Sequence, residues 1–243
     1  SIITPNLDRL ASEGCFFDQA FIPGGSCPAV CMPSRAMLHT GRSLFSIEEE
    51  GQSIPEDHIT IGEHLDRHGY DTWGTGKWHN GTESFTRSFR KGAEVFFGGM
   101  DDHWNVPVCQ FHPDGNYPEP VEHPWDPGTG TTMKIPKRFD RIAREAHSTD
   151  LFADRAVEYL ESRSSESPFF MYVSFMAPHD PRTMPKRFLN LYNPQSIELP
   201  PNFRPEHSFD NGELDVRDEH LAPLPRTEND IRKHLAEYYA MIS

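Results

Sequence analysis

The sequence predicts an α/β fold. Helical and extended signals alternate through the first part of the chain, and a short apolar run, Phe169 to Met176, lies between Pro168 and Pro178. That run is too short for a typical helix and has no polar face, the pattern of a central strand buried on both sides of a sheet. A chain of 243 residues, 36% of them hydrophobic, is long enough for one large core or two small ones.

In chain order, the first element is a helix from about Pro5 to Ser12, with proline in its opening turn and a stop at Gly14. Strand-like residues follow from Cys15 to Phe21. Pro33 suits the first turn of a helix that runs to Thr40, where Gly41 provides the stop. Cys31 then falls just before the free N–H groups of that turn, and Arg35 adds a permanent charge one turn in, an arrangement suited to an anionic ester. A second amphipathic helix spans about Thr60 to His68, with Ile61 and Leu65 inward and Gly69 at its end. It leads into an extended segment from Tyr70 to His79, where Lys77 and His79 share one face and Trp78 takes the other. A third helix begins at Ser148 or Thr149 and turns Phe152, Ala153, Ala156, Val157 and Leu160 inward. Beyond the Phe169–Met176 strand, helical spacing returns from Glu228 to Ser243. Segments 98–147 and 178–227 are rich in proline, glycine, histidine and charge and show little periodicity. Loops of that length in a compact domain are usually functional, so they are expected to form the rim of a substrate cleft.

Thirty-seven acidic side chains against 23 basic ones give a formal charge of −14, which disfavours nucleic acid or an anionic membrane as a partner. No apolar run approaches the ~18 residues of a spanning helix. Cys15, Cys27, Cys31 and Cys109 are too sparse for a dense disulfide framework. Spacing alone leaves open a zinc site that joins Cys27-x₃-Cys31 to Cys109-x₂-His112, although a proline-rich turn lies across the first pair. On residue type alone, Cys31 reads as a structural thiol.

The full motif reverses that reading of Cys31. Cys31-Met32-Pro33-Ser34-Arg35, four further residues and Thr40-Gly41 resemble the signature of the formylglycine-dependent sulfatases. Gly76-Lys77-Trp78-His79 and the segment Thr4 to Ala11 resemble two other stretches of the same family. The resemblance implies an alkaline-phosphatase-like α/β fold, a large mixed sheet flanked by helices on both faces, with residues 1–243 as part of a single catalytic domain. It also implies that a formylglycine-generating enzyme converts Cys31 to an aldehyde, which hydrates to a geminal diol. One hydroxyl attacks sulfur and releases the alcohol; the second, once deprotonated, expels sulfate and restores the aldehyde.

The catalytic residues implied are Cys31, Arg35, Lys77, His79 and His179, with Lys77 and His179 also contacting the sulfate. His179 lies just past a strand end, where open α/β sheets place ligands, although an ion pair with Asp180 would explain it equally. Asp101 and Asp102 could offer hard oxygen ligands to a metal, but contact with substrate hydroxyls is the reading preferred here. The implied cofactor is Ca²⁺, with Mg²⁺ as the alternative; converted Cys31 would be its neighbour, and its other ligands are expected outside this chain. The chain opens at Ser1 without Met or signal peptide and its last helical pattern has no stop. It therefore reads as the front half of such an enzyme, without the first strand and inactive in isolation. Periplasmic or extracellular location follows from the family alone. The polar and aromatic loops favour a sulfated carbohydrate as substrate. Two alternatives stay open, a phosphonate monoester or phosphodiester hydrolase with the same converted cysteine, and a catalytically silent binding module that retains the fold.

Overall fold

The computed structural model describes residues 1–25, 30–124, 134–164, 166–210, 212, 214 and 220–243. In chain order these form α1 (Pro5–Glu13), α2 (Cys31–Thr40), α3 (Ile61–Arg67), β1 (Asp71–Lys77), α4 (Thr82–Ser88) and β2 (Lys91–Phe96). Then come β3 (Val106–Val108), β4 (Val121–Pro124), β5 (Lys134–Lys137), β6 (Arg141–Ala143), α5 (Ser148–Ser162), β7 (Phe169–Ser174), α6 (Lys186–Leu189) and α7 (Glu228–Ile242). They fall into two compact units, one of Phe17–Pro127 and Thr131–Met176, the other of Ser1–Phe16 and Ala177–Ser243.

The first unit is built on a parallel sheet of order β2-β1-β7. Along β1 and β7 its side chains alternate between two helical layers, while on β2 the irregular residue Glu94, at φ +48°, lets Ala93 and Val95 take opposite faces although they are two apart. Trp73, Ala93, Met171 and Val173 pack with Ala156 and Tyr159 of α5, and the Trp73 and Tyr159 rings stack with centroids 4.8 Å apart. On the opposite face, Val95, Phe170 and Tyr172 pack with Ala36 of α2, with Phe85 of α4 and with Trp78 and Phe89. Trp78 meets the Phe85 and Phe89 rings edge-on, a geometry that adds ~0.5–1.5 kcal/mol per pair beyond burial. Helices therefore cover both faces, as the α/β reading expects.

The central position belongs to β1, not to the Phe169–Met176 run. β7 is an edge of this sheet among the described residues, and its Phe169 is 44% exposed. β1 looks unlike a buried strand because two of its residues are glycines, and their lack of side chains is what lets neighbours close in. An added Cβ on Gly74 would lie 3.0 Å from the Phe89 ring. At Gly76, where φ is +84°, it would lie 2.0 Å from the Ser174 carbonyl oxygen.

Three further expectations need correction. Cys15–Phe21 forms no strand, and Phe16, Phe17 and Phe21 are exposed; strand-like composition alone does not supply a pairing partner. α3 turns Gly62 and Glu63 inward while Ile61 is exposed. Its rotation is set by a capping box between Thr60 and Glu63 and by Gly62, whose added Cβ would lie 2.1 Å from the Ser88 carbonyl oxygen. α5 buries Leu151, Phe152, Ala156 and Tyr159 while Val157 and Leu160 are exposed, because the stack on Trp73 brings Tyr159 to the sheet.

Segment 98–147, expected as loop, contains two antiparallel ribbons, β3 with β6 and β4 with β5. Val106, Val108 and Ala143 join Phe96, Leu151, Phe152 and Met176 in a buried cluster, so this segment supplies core as well as surface. Segment 178–227 contains α6 and a 3-10 turn at Pro194–Ser196. In the second unit α7 starts as its sequence predicts, with Thr227 Oγ1 accepting from the Asp230 N–H at 3.1 Å. Arg182 pairs with Glu237 at 3.0 Å, and Tyr192 accepts from the Ile3 N–H at 2.7 Å just ahead of α1. No helix among the described residues is long and apolar enough to cross a membrane.

Candidate active site

Cys31 is the first residue of α2, not the residue before it. The first helical bond runs from the Ser34 N–H to the Val30 carbonyl, and Pro33 takes the third position, where its missing N–H breaks no intrahelical bond. Gly41 ends the helix in the left-handed region at φ 67°, its N–H on the Met37 carbonyl. The Cys31 side chain therefore sits in the turn whose free N–H groups and dipole favour an anion.

Opposite this turn is the exit of β1. The ladder with β2 shifts register between Thr75 and Gly76, and after Trp78 the chain turns through His79, whose φ is +69°. This tight turn brings His79 Nδ1 to 3.3 Å from Cys31 Sγ. Lys77 is 2% exposed, and its ammonium donates to the Gly99 carbonyl. The His79 ring lies against the same glycine, since a Cβ there would be 2.8 Å from His79 Cε1. Lys77 and His79 thus converge on Gly99, but not as the shared face of an extended segment: His79 lies beyond β1 and reaches the glycine by a left-handed turn.

Arg35 points to the sheet. Its Nη1 donates to the Lys77 carbonyl at 2.7 Å, to Tyr172 Oη at 2.9 Å and to Ser174 Oγ at 2.8 Å, tying α2 to the ends of β1 and β7. Next along α2, His39 is 2% exposed between the Trp78 and Tyr172 rings, and neither ring nitrogen has a hydrogen-bond partner among the described residues. Burial, helped by the Arg35 charge, pushes its pKa down to about 3.

The unfolded chain therefore binds a proton at His39 that the folded chain refuses. Its contribution to stability is complete above pH ~6.5 and is lost at up to ~1.4 kcal/mol per pH unit as pH falls from there toward 3. Urea unfolding at pH 5 is expected to give a stability lower by ~2 kcal/mol than at pH 7, and His39→Leu is expected to flatten that slope. An unchanged slope in the variant would assign the acid sensitivity elsewhere.

The acidic candidates are engaged within the chain. Asp101 is 2% exposed, pairs with Lys137 Nζ at 2.6 Å and accepts from the Asp102 N–H at 2.9 Å. Asp102 accepts from the Trp104 N–H at 2.8 Å and from Asn105 Nδ2 at 2.6 Å, closing a local turn. Contact with substrate hydroxyls would have to compete with these bonds. His179 belongs to the second unit, where its Nδ1 lies 3.1 Å from Asp180 Oδ1.

The zinc reading gains no support among the described residues. Cys27 lies outside the described residues, and Cys109 is buried in a backbone bridge with Val95, its thiol pushed up to about 12 by burial and by Asp140. His112 pairs with Asp140 at 3.2 Å. Among the described residues, no group of three or more His, Cys, Asp or Glu side chains is placed to hold a metal ion.

The arrangement is a helix N-terminus, a thiol, an imidazole within reach of it and a buried ammonium nearby. Comparison with known proteins gives it a family: a sulfatase family model matches residues 1–242. The chain belongs to the sulfatase family. This sulfatase chain is 32% identical over 220 residues to arylsulfatase G of Rattus norvegicus, which covers 81% of the chain and 40% of that relative. It is 29% identical over 205 residues to N-acetylgalactosamine-6-sulfatase of Mus musculus, covering 76% and 37%. N-acetylglucosamine-6-O-sulfatase of Bacteroides thetaiotaomicron is 30% identical over 205 residues, covering 83% and 31%. The sulfatase chain thus spans 31% to 40% of the length of these relatives. Among solved structures, BT4656 in complex with its substrate D-glucosamine-2-N,6-O-disulfate superposes with a TM-score of 0.59 at 25% identity, covering 82% of the chain and 34% of BT4656. Ps i-CgsB in complex with a neocarrahexaose gives 0.56 at 20% identity, covering 99% and 48%. The fold of the sulfatase chain is accordingly the alkaline-phosphatase-like one that its motifs imply.

Three contributors to the site escape a motif-level reading. Asn80, Gly99 and Lys137 act through carbonyl contacts and close backbone approach, and their partners lie 22 to 48 residues away in sequence. The tandem Gly98-Gly99 just after β2 is the only local signal, a place where another group can approach the backbone.

Proposed function

We propose that the full-length protein hydrolyses sulfate esters of a carbohydrate through Cys31 converted to formylglycine. The observation that carries this is the 3.3 Å approach of Cys31 Sγ to His79 Nδ1 at the first turn of α2. The free N–H groups of that turn and the Lys77 ammonium supply positive charge where the sulfate oxygens would lie. His79 is placed to take a proton from the hydroxyl formed at the Cys31 position as sulfate leaves, and to return it to solvent afterwards. Arg35 holds the Lys77 backbone and is a positioning residue in this reading. His179 is carried over as a contact of the substrate sulfate on the family resemblance alone, and Asp101 and Asp102 support the segment that carries Gly99.

Calcium, or magnesium in its place, would supply Lewis-acid charge to such a site. The described residues do not form a cage for it, so its ligands besides converted Cys31 are sought in the remainder of the full-length protein, and no step is assigned to it here. The saccharide substrate is supported by the relatives named for 6-sulfated amino sugars and by the sulfated glucosamine bound in BT4656.

Paired kinetics test this reading. Full-length protein made together with a formylglycine-generating enzyme is expected to turn over a 6-O-sulfated N-acetylhexosamine faster than a phosphodiester. Faster phosphodiester cleavage would make it a phosphoryl hydrolase, and binding without turnover of either would make it a silent module.

A further inference from the structure

We propose that Asn80 is a positioning residue that sets the contact between Cys31 and His79. Asn80 follows His79 directly, is fully buried, and donates from Nδ2 to the Met32 carbonyl at 2.9 Å and to the Gly51 carbonyl. Met32 follows Cys31 directly. One side-chain hydrogen bond therefore joins the two reactive residues across 48 positions of sequence, with each of them a single residue from its end.

The orientation of the amide is dictated by its surroundings, because both neighbours are carbonyl oxygens and only the NH₂ end can donate to them. The second carbonyl matters as well. Gly51, at φ +78°, presses against the first turn of α2 so closely that a Cβ there would lie 2.8 Å from the Met32 carbonyl group. Asn80 thus clamps the turn at Gly51, the start of α2 and the exit of β1 together. Its backbone carbonyl accepts from Ser84 Oγ at 2.6 Å, which fixes it to α4.

A left-handed residue such as His79 persists only when its surroundings over-determine it. The clamp on the next residue is such a constraint. A further sign that the amide is kept for geometry is its Oδ1, buried without a hydrogen-bond partner among the described residues. That is an unfavourable arrangement which an apolar side chain of similar size would avoid, but only by leaving the Met32 and Gly51 carbonyls without their donor.

The inference deepens the proposed function by assigning a support to its Cys31–His79 pair, and its test needs neither conversion of Cys31 nor turnover. In the full-length protein with Cys31 kept as the thiol, a nuclear Overhauser contact between the Cys31 β-protons and the His79 ring protons reports the separation directly. The contact is expected in the parent protein and in Tyr159→Leu, which lowers stability by removing the stack on Trp73 across the sheet from the clamp. Most of its intensity is expected to be lost in Asn80→Ala. Asn80→Ser, too short to span both carbonyls, is expected to behave as the alanine variant does and stands in for it if that variant does not fold. Parent-like intensity in whichever of the two folds would overturn the proposal, and so would an equal loss in Tyr159→Leu. A retained clamp in an enzyme without sulfatase turnover would instead count against the proposed function alone.

Discussion

Cys31→Ala in the full-length enzyme is expected to lower sulfate-ester turnover by ~10⁴-fold or more, the scale seen when a catalytic nucleophile is removed. The change deletes only a half-buried sulfur, so folding should be retained and the loss should appear in kcat. Cys31→Ser separates two parts of the chemistry. A serine oxygen can attack sulfur, but it carries no second hydroxyl whose deprotonation would expel the sulfate. One equivalent of alcohol followed by arrest is expected, against continuous release by the converted cysteine. Near-parental turnover by Cys31→Ala would remove Cys31 from the mechanism.

The largest effect on stability is expected at Lys137→Met. Lys137 and Asp101 are 7% and 2% exposed, and their ion pair at 2.6 Å is shut away from water. Burial draws the Lys137 pKa below its ordinary value while the Asp101 charge opposes that shift. Methionine keeps much of the apolar stem, which passes near the Phe96 ring, but leaves the Asp101 carboxylate buried without its cation. Breaking a buried pair from one side costs ~3–5 kcal/mol. Lys134→Met on the same ribbon is the contrast, because its pair with Glu122 spans 3.7 Å with both side chains more than 60% exposed, and such a pair contributes ~0–1 kcal/mol. Urea midpoints of the two variants should differ widely. Equal midpoints would mean that the Asp101–Lys137 pair does not hold the segment that carries Gly99. Replacing both partners with apolar residues should recover much of the stability lost by Lys137→Met alone.

The legible parts of this fold are those whose cause is local. Pro33 and Gly41 bracket α2, helical spacing from Glu228 marks α7, and Lys77 stands at the end of β1 with His79 two residues beyond it. The parts missed are those decided by partners far along the chain. The β3–β6 and β4–β5 ribbons come from antiparallel registers, and none of their strands exceeds four residues, too short for a clear period to emerge. The inward face of α3 follows from Gly62 meeting Ser88, a contact that hydrophobic spacing cannot reveal. Asp101 reads as a surface ligand until Lys137, 36 positions later, arrives beside it. In the site itself, the motif residues Cys31, Lys77 and His79 are visible in the sequence. Asn80 and Gly99, which hold them, contribute backbone-directed bonds and an absent side chain, and neither leaves a pattern in residue type.

The central claim is that Cys31 works as formylglycine, and the mass of the peptide that carries it tests this most directly. In full-length protein that releases sulfate from a sulfated saccharide, that peptide is expected to show an aldehyde or its hydrate at Cys31 in place of the thiol. An unmodified Cys31 thiol throughout such an active preparation would contradict it.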